Sequence, residues 1–161
     1  GLAKCSGYSV LRNSIATDNA GDEGYTAQGI AGRTLEALHS KHPKHPAGFH
    51  YLIHAYDNPV LAPRAEDVAR GYSDIAPNVP HALHMPAHIF VRLGLWQDVI
   101  DWNSRSARAA LEQPVNGAVS KHYVHAIDYL VYGYLQQSQD KLARDPRWPR
   151  CCPSGASSRA S

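Results

Sequence analysis

Cysteine is scarce in this chain, with three residues in 161. Cys5 stands alone, and Cys151 and Cys152 are neighbours, which rarely bridge each other without strain. No disulfide framework follows, and the plain expectation is a reduced compartment, the cytoplasm. Charge of one sign is also missing. Sixteen Lys and Arg against fourteen Asp and Glu leave a formal +2, with no basic run, so nucleic acid is not an expected partner. Long apolar runs are absent too. Nothing approaches the roughly 18 residues of a membrane span, so no membrane partner is expected. The first residues, GLAKCSGYSVLRNS, lack the apolar core of a secretory signal. Several catalytic signatures do not occur: no phosphate loop, no GxSxG, no CxxC and no HExxH. The string HYLIH carries Tyr51 where the zincin motif has its Glu.

Histidine is abundant instead. There are ten, and seven fall in three short groups: His50 and His54; His81, His84 and His88; His122 and His125. Hydrophobic residues make up 43% and charged residues 19%, as in a globular chain of one domain.

A repeat underlies the histidine groups. His84 follows His50 by 34 residues, and His88 follows His54 by 34. Pro43 to Pro77, Pro46 to Pro80, Ala31 to Ala65 to Val99, Leu35 to Ala69 and Leu38 to Tyr72 keep the same interval. A period of 34 is that of a helix–turn–helix unit of the tetratricopeptide type. The first unit reads as a helix near 47–57, a Pro-containing turn and a helix near 62–75. The second reads as a helix over 81–93, interrupted by Pro86, then a turn at Gly94 and a helix to Leu111. The third opens with a helix over 121–136. Its second helix, from near Lys141, meets Pro146 and stops. Residues 24–42 read as a further helix, residues 1–22 match no pattern, and 145–161, rich in Pro, Ser and Arg, read as a disordered tail.

Residues 24–143 resemble tetratricopeptide repeats. The strings HYLIHAYDNP, PHALHMPAHIFVRLGLW and HAIDYLVYGYLQ are similar to a histidine-rich bacterial subgroup of them. The resemblance implies an all-α, right-handed stack of antiparallel helix pairs, about three units, over 1–144. It also implies that the first helices line a concave face where ligands are held. By that register His50, His54 and Asp57, then His81, His84 and His88, then His125 and Asp128 share the concave face, with His122 one turn earlier.

Helical spacing agrees independently. Residues at i, i+3 and i, i+4 lie on one face, about 5–6 Å apart at Cβ, and packed helices lie about 8–10 Å apart. Imidazoles from neighbouring helices can therefore reach one ion. The expected ligands of a divalent metal are His50, His54, His84 and His88, with His125 and Asp57 or Asp128 completing or flanking the site. The nitrogen and oxygen donors suit zinc first, as one or two ions, with Cu, Ni or Fe behind it.

Bland readings compete with this one. A single histidine on a helix face is usually structural, and the row would also suit a polar groove or packing among aromatic rings. His39, His42 and His45 flank a Pro-rich turn and are expected to face solvent. Trp96 and Trp102 read as packing residues.

Two functions follow. One is a metal-binding repeat protein that hydrolyses esters or phosphoesters through metal-bound water, with Asp128 accepting the proton and Arg92 holding an anionic oxygen. The other is a non-catalytic scaffold holding a peptide or small molecule in the groove. A peptide clamp calls for Lys, Arg and Asn on the concave face. This face carries imidazoles and carboxylates.

Overall fold

The structure, a computed structural model, describes residues 25–145. The expectations for residues 1–22 and for the tail beyond Asp145 lie outside the described residues. Among the described residues the fold is all-α. No strand forms, and the one β-bridge, Val115 to Ala118, closes a loop.

The helices in chain order are α1 (Thr26–Lys41), α2 (Pro46–Tyr56), a 3₁₀ turn (Ala62–Ala65) leading into α3 (Glu66–Ile75), α4 (Pro80–His84), α5 (Pro86–Leu93), α6 (Trp96–Leu111), α7 (Lys121–Gln136) and α8 (Asp140–Ala143). Their starts carry local reasons. Pro46 opens α2 at a position that needs no N–H, and the His45 side chain accepts the Ala47 N–H at 3.2 Å. Ser120 caps α7 by accepting from the N–H of His122 at 3.1 Å. The short α8 ends within a turn, before the proline at 146.

The helix expected over 81–93 is present in two pieces. Pro86 has no N–H to give to the carbonyl of Ala82, so the ladder breaks at Met85. Met85 itself keeps helical angles, φ −52° and ψ −40°. His84 and His88, which flank the break, therefore stay one turn apart.

Consecutive helices pack against each other from α1 to α8. One apolar cluster gathers Leu35, Phe49, Leu52, Ile53, Tyr56, Phe90 and Trp102. A second gathers Ile100, Ala107, Ala110, Tyr123, Ala126 and Leu130. Helix α6 divides them, turning Val99 and Trp102 to the first and Ile100 to the second. Burying each such Leu, Ile or Phe contributes about 1.5–3 kcal/mol.

Two glycines permit close approaches. A Cβ on Gly32 would overlap the Tyr56 ring, whose hydroxyl donates to Glu36 at 2.8 Å. A Cβ on Gly133 would stand 2.9 Å from Ile100 Cγ1. The second glycine lets α7, which carries His122 and His125, lie tightly on α6.

Candidate metal centre

Four helices bring the histidines together. Helix α2 supplies His50 and His54, α4 and α5 supply His81, His84 and His88, and α7 supplies His122 and His125. Among the described residues, His84, His88 and His125 place ligand atoms within 4.8 Å of one another, close enough to hold a metal ion. Their burial is graded. His84 is 2% exposed, His88 half-buried, and His125 open to solvent. The His84 and His125 ring centroids are 4.3 Å apart.

The tautomers of two rings follow from their neighbours. Asn103 on α6 is fully buried and donates its amide N–H to the carbonyl of Val99 at 2.8 Å. That leaves Oδ1 of Asn103 as the acceptor facing His84 Nδ1, also at 2.8 Å. His84 Nδ1 therefore carries a hydrogen. One turn along α6, Ser106 donates to the carbonyl of Pro80 at 2.7 Å, which ties the start of α4 to the same helix. His88 Nδ1 lies 3.0 Å from Oδ2 of Asp57, a carboxylate that only accepts, so His88 Nδ1 also carries its hydrogen.

Both Nε2 atoms are then lone pairs in the neutral rings. They face each other at 3.2 Å. Two lone pairs cannot form a hydrogen bond, so the contact calls for a cation between them. Two zinc–nitrogen bonds of about 2.0–2.1 Å at a tetrahedral angle hold their nitrogens about 3.3 Å apart. The observed spacing fits that span. A proton on His88 is the competing filling, since it would donate to Asp57 and to His84 at once.

Electrostatics keeps His84 in the ligand form. Burial pushes it down to about 3, against the hydrogen bond to Asn103, which pulls the other way; the charges of His88, His125 and His81 lower it further. Burial acts likewise on His50 and His81, each lowered to about 4, and on His54. Burial alone would push the Asp57 carboxyl up. Hydrogen bonds from His88 and Arg92 outweigh it and hold the group below the usual carboxylate range.

The expected site residues divide by place. Asp57 ends α2 and serves as the holder of His88, an arrangement that orients metal-binding imidazoles generally. Arg92, one turn past His88, donates Nε to Asp57 Oδ1 at 2.8 Å and so fixes the carboxylate from its other side. His50 and His54 stand beside the three-histidine group, the His54 ring 5.9 Å from that of His88. Asp128 is exposed on α7, one turn beyond His125. His45 caps a helix, whereas His39 packs edge-on against Phe49 at 4.6 Å and is half-buried, contrary to the expectation that it faces solvent.

One residue of the centre, Asn103, was missed from the sequence; its only signal was a polar residue on the apolar face of α6. Tyr129, which the sequence offers as core or groove wall, forms a wall of the centre, its ring 4.5 Å from His84, 5.3 Å from His125 and 5.4 Å from His88. Tyr129 follows His88 by 41 residues, as His125 follows His84 and His122 follows His81. The third unit thus keeps the histidine register with seven extra residues ahead of it. Compared with known families and curated proteins, the sequence matches no family model and no curated relative.

Proposed function

We propose that this chain is a divalent-metal protein, zinc foremost, whose ion is bound by Nε2 of His84, Nε2 of His88 and a ring nitrogen of His125, and that it hydrolyses an ester or phosphoester. The observation that carries the reading is the 3.2 Å approach of two Nε2 atoms whose partner nitrogens both hold their hydrogens elsewhere. Three imidazoles leave one of four positions to water, as in catalytic zinc sites, whereas structural sites are closed by protein ligands. A bound divalent cation supplies an acidified water there, of pKa about 7 on zinc. His125 is the solvent-exposed member of the three. Asp128, on the exposed side of α7 one turn from His125, accepts the proton. Arg92 acts through Asp57, as its hydrogen bond indicates, and its guanidinium keeps 43% exposure beside the site.

We read the helix pairs as a tetratricopeptide-like stack. Two observations support this: α2 and α4 open at Pro46 and Pro80, one period apart, and successive helices pack on each other.

The test is elemental analysis of untagged protein, with assays on aryl phosphate and carboxylate esters before and after chelation. Stoichiometric metal, lost in His84→Gln/His125→Gln, is expected. Activity should vanish on chelation and return with zinc. Asp128→Asn should keep the metal and lose most of the activity. Metal-free protein with an intact fold would assign the Nε2 contact to a shared proton instead.

A further inference from the structure

Four histidines of the row lie outside the three-histidine group. His50 and His54 stand one turn apart on α2, with ring centroids 4.7 Å apart. The His50 ring meets His81 of α4 at 5.2 Å, and His81 meets His122 of α7 at 5.2 Å. Tyr51 and Tyr72 stand edge-on to His50, at 5.3 and 6.5 Å. All four imidazoles are half-buried.

They differ from His84 and His88 in one respect. Among the described residues, the rings that hydrogen-bond are those of His45, His84 and His88, while the rings of His50, His54, His81 and His122 do not. The rings of His50, His54 and His81 instead adjoin one another in one half-buried group.

We propose that His50, His54 and His81 form a second divalent-cation position beside the first. It extends the metal reading of His84, His88 and His125, and it uses the i, i+4 histidine pair on α2 with a third imidazole from α4. The two positions adjoin through His54 and His88, 5.9 Å apart, and through His81 and His84, 6.3 Å apart. The second is less preformed. Only the first group has all its ligand atoms within 4.8 Å of one another, so the rings of the second must turn about Cβ–Cγ to converge. That torsion is broad in histidine, so the turn is permitted, but the ordering lowers affinity. The second position therefore fills after the first.

The experiment is calorimetric titration of the metal-stripped full chain with zinc alone, read with elemental analysis of the dialysed product and circular dichroism of every variant. The wild type should take up two equivalents, the second at least tenfold weaker. His50→Gln/His81→Gln should bind the tight equivalent and lose the weak one. His84→Gln/His125→Gln should do the reverse. The single variant His54→Gln, milder towards folding, should weaken only the second event. A wild type that saturates at one equivalent, abolished by His84→Gln/His125→Gln, overturns the second position and leaves the first standing. Two equivalents that survive His50→Gln/His81→Gln also overturn it and assign the second ion elsewhere. No uptake at all overturns both.

Discussion

Asn103 and His84 share a 2.8 Å hydrogen bond in the interior, and neither reaches solvent to any useful extent. The amide sets which nitrogen of His84 is protonated and so which one faces His88. Asn103→Ala should leave that N–H buried without a partner, at a cost of about 1–3 kcal/mol. It should also free the ring to turn. A fall in the urea midpoint together with weaker zinc binding is expected. A fall in stability with unchanged zinc affinity would reduce Asn103 to a packing residue.

Asp57 acts on His88 from the other end of the row. Its carboxylate fixes the ring's tautomer and is itself gripped by Arg92. Removing such a holder from a metal-bound histidine costs about 10–100-fold in affinity. Asp57→Ala should fall in that range by competition with a chromophoric chelator. Arg92→Ala leaves the carboxylate in place and should cost less. Equal losses in the two variants would mean that the ion pair, and not the His88 contact, sets the affinity.

The buried histidines make the metal-free fold sensitive to acid. In the unfolded chain they titrate near 6.5. In the folded chain burial holds His84 to about 3 and His50 and His81 to about 4. Between these limits the unfolded state binds protons that the native state refuses, so stability must fall as pH drops. The loss starts near 6.5 and continues to about 4. It flattens below about 3, where folded His84 also protonates. Asp57, whose folded value is depressed, adds loss in the same direction only at the acid end. His84 contributes on the order of 1 kcal/mol per pH unit, and the half-buried rings less, because solvent screens them. Thermal melts in chelator from pH 7.5 to 4.5 should show a steady decline, shallower in His84→Gln. A midpoint independent of pH would contradict the buried, neutral state of these rings.

Much of this fold is legible in the sequence because the repeat is carried by spacing. Pro46 and Pro80 open their helices one period apart, and Lys121–Gln136 matches the helix expected over 121–136. The expected interruption at Pro86 is present because it follows from a missing N–H, a local property. The site is less legible because it depends on neighbours distant in sequence. The separation of His50 and His54 from His84, His88 and His125 is set by how α2 lies against α5, which no periodicity encodes. Counting from His88 by the interval that relates His84 to His125 arrives at Tyr129, a register that the 34-residue period alone does not give; Asp128, its neighbour, is exposed one turn from His125.

Tyr129 yields the sharpest separation between wall and chemistry. Its ring abuts all three histidines of the centre, and its hydroxyl lies 3.4 Å from His88 Nδ1, a long and weak contact. Burial raises its pKa, so the group stays a phenol at neutral pH. Its grip on the centre is therefore the ring face, which holds the imidazoles at their mutual distances, more than the hydroxyl. Tyr129→Phe keeps the ring and should leave zinc affinity within about threefold, since only a weak hydrogen bond is lost. Tyr129→Ala removes the wall. It should cost about 1–3 kcal/mol of stability, below the 3–5 kcal/mol of a fully buried aromatic, and should weaken zinc binding at least tenfold as the rings lose their common support. The two variants, measured by zinc competition and by urea denaturation on the same samples, separate the roles. Loss of affinity in Tyr129→Phe equal to that in Tyr129→Ala would move the hydroxyl into the metal's own surroundings and make the ring incidental.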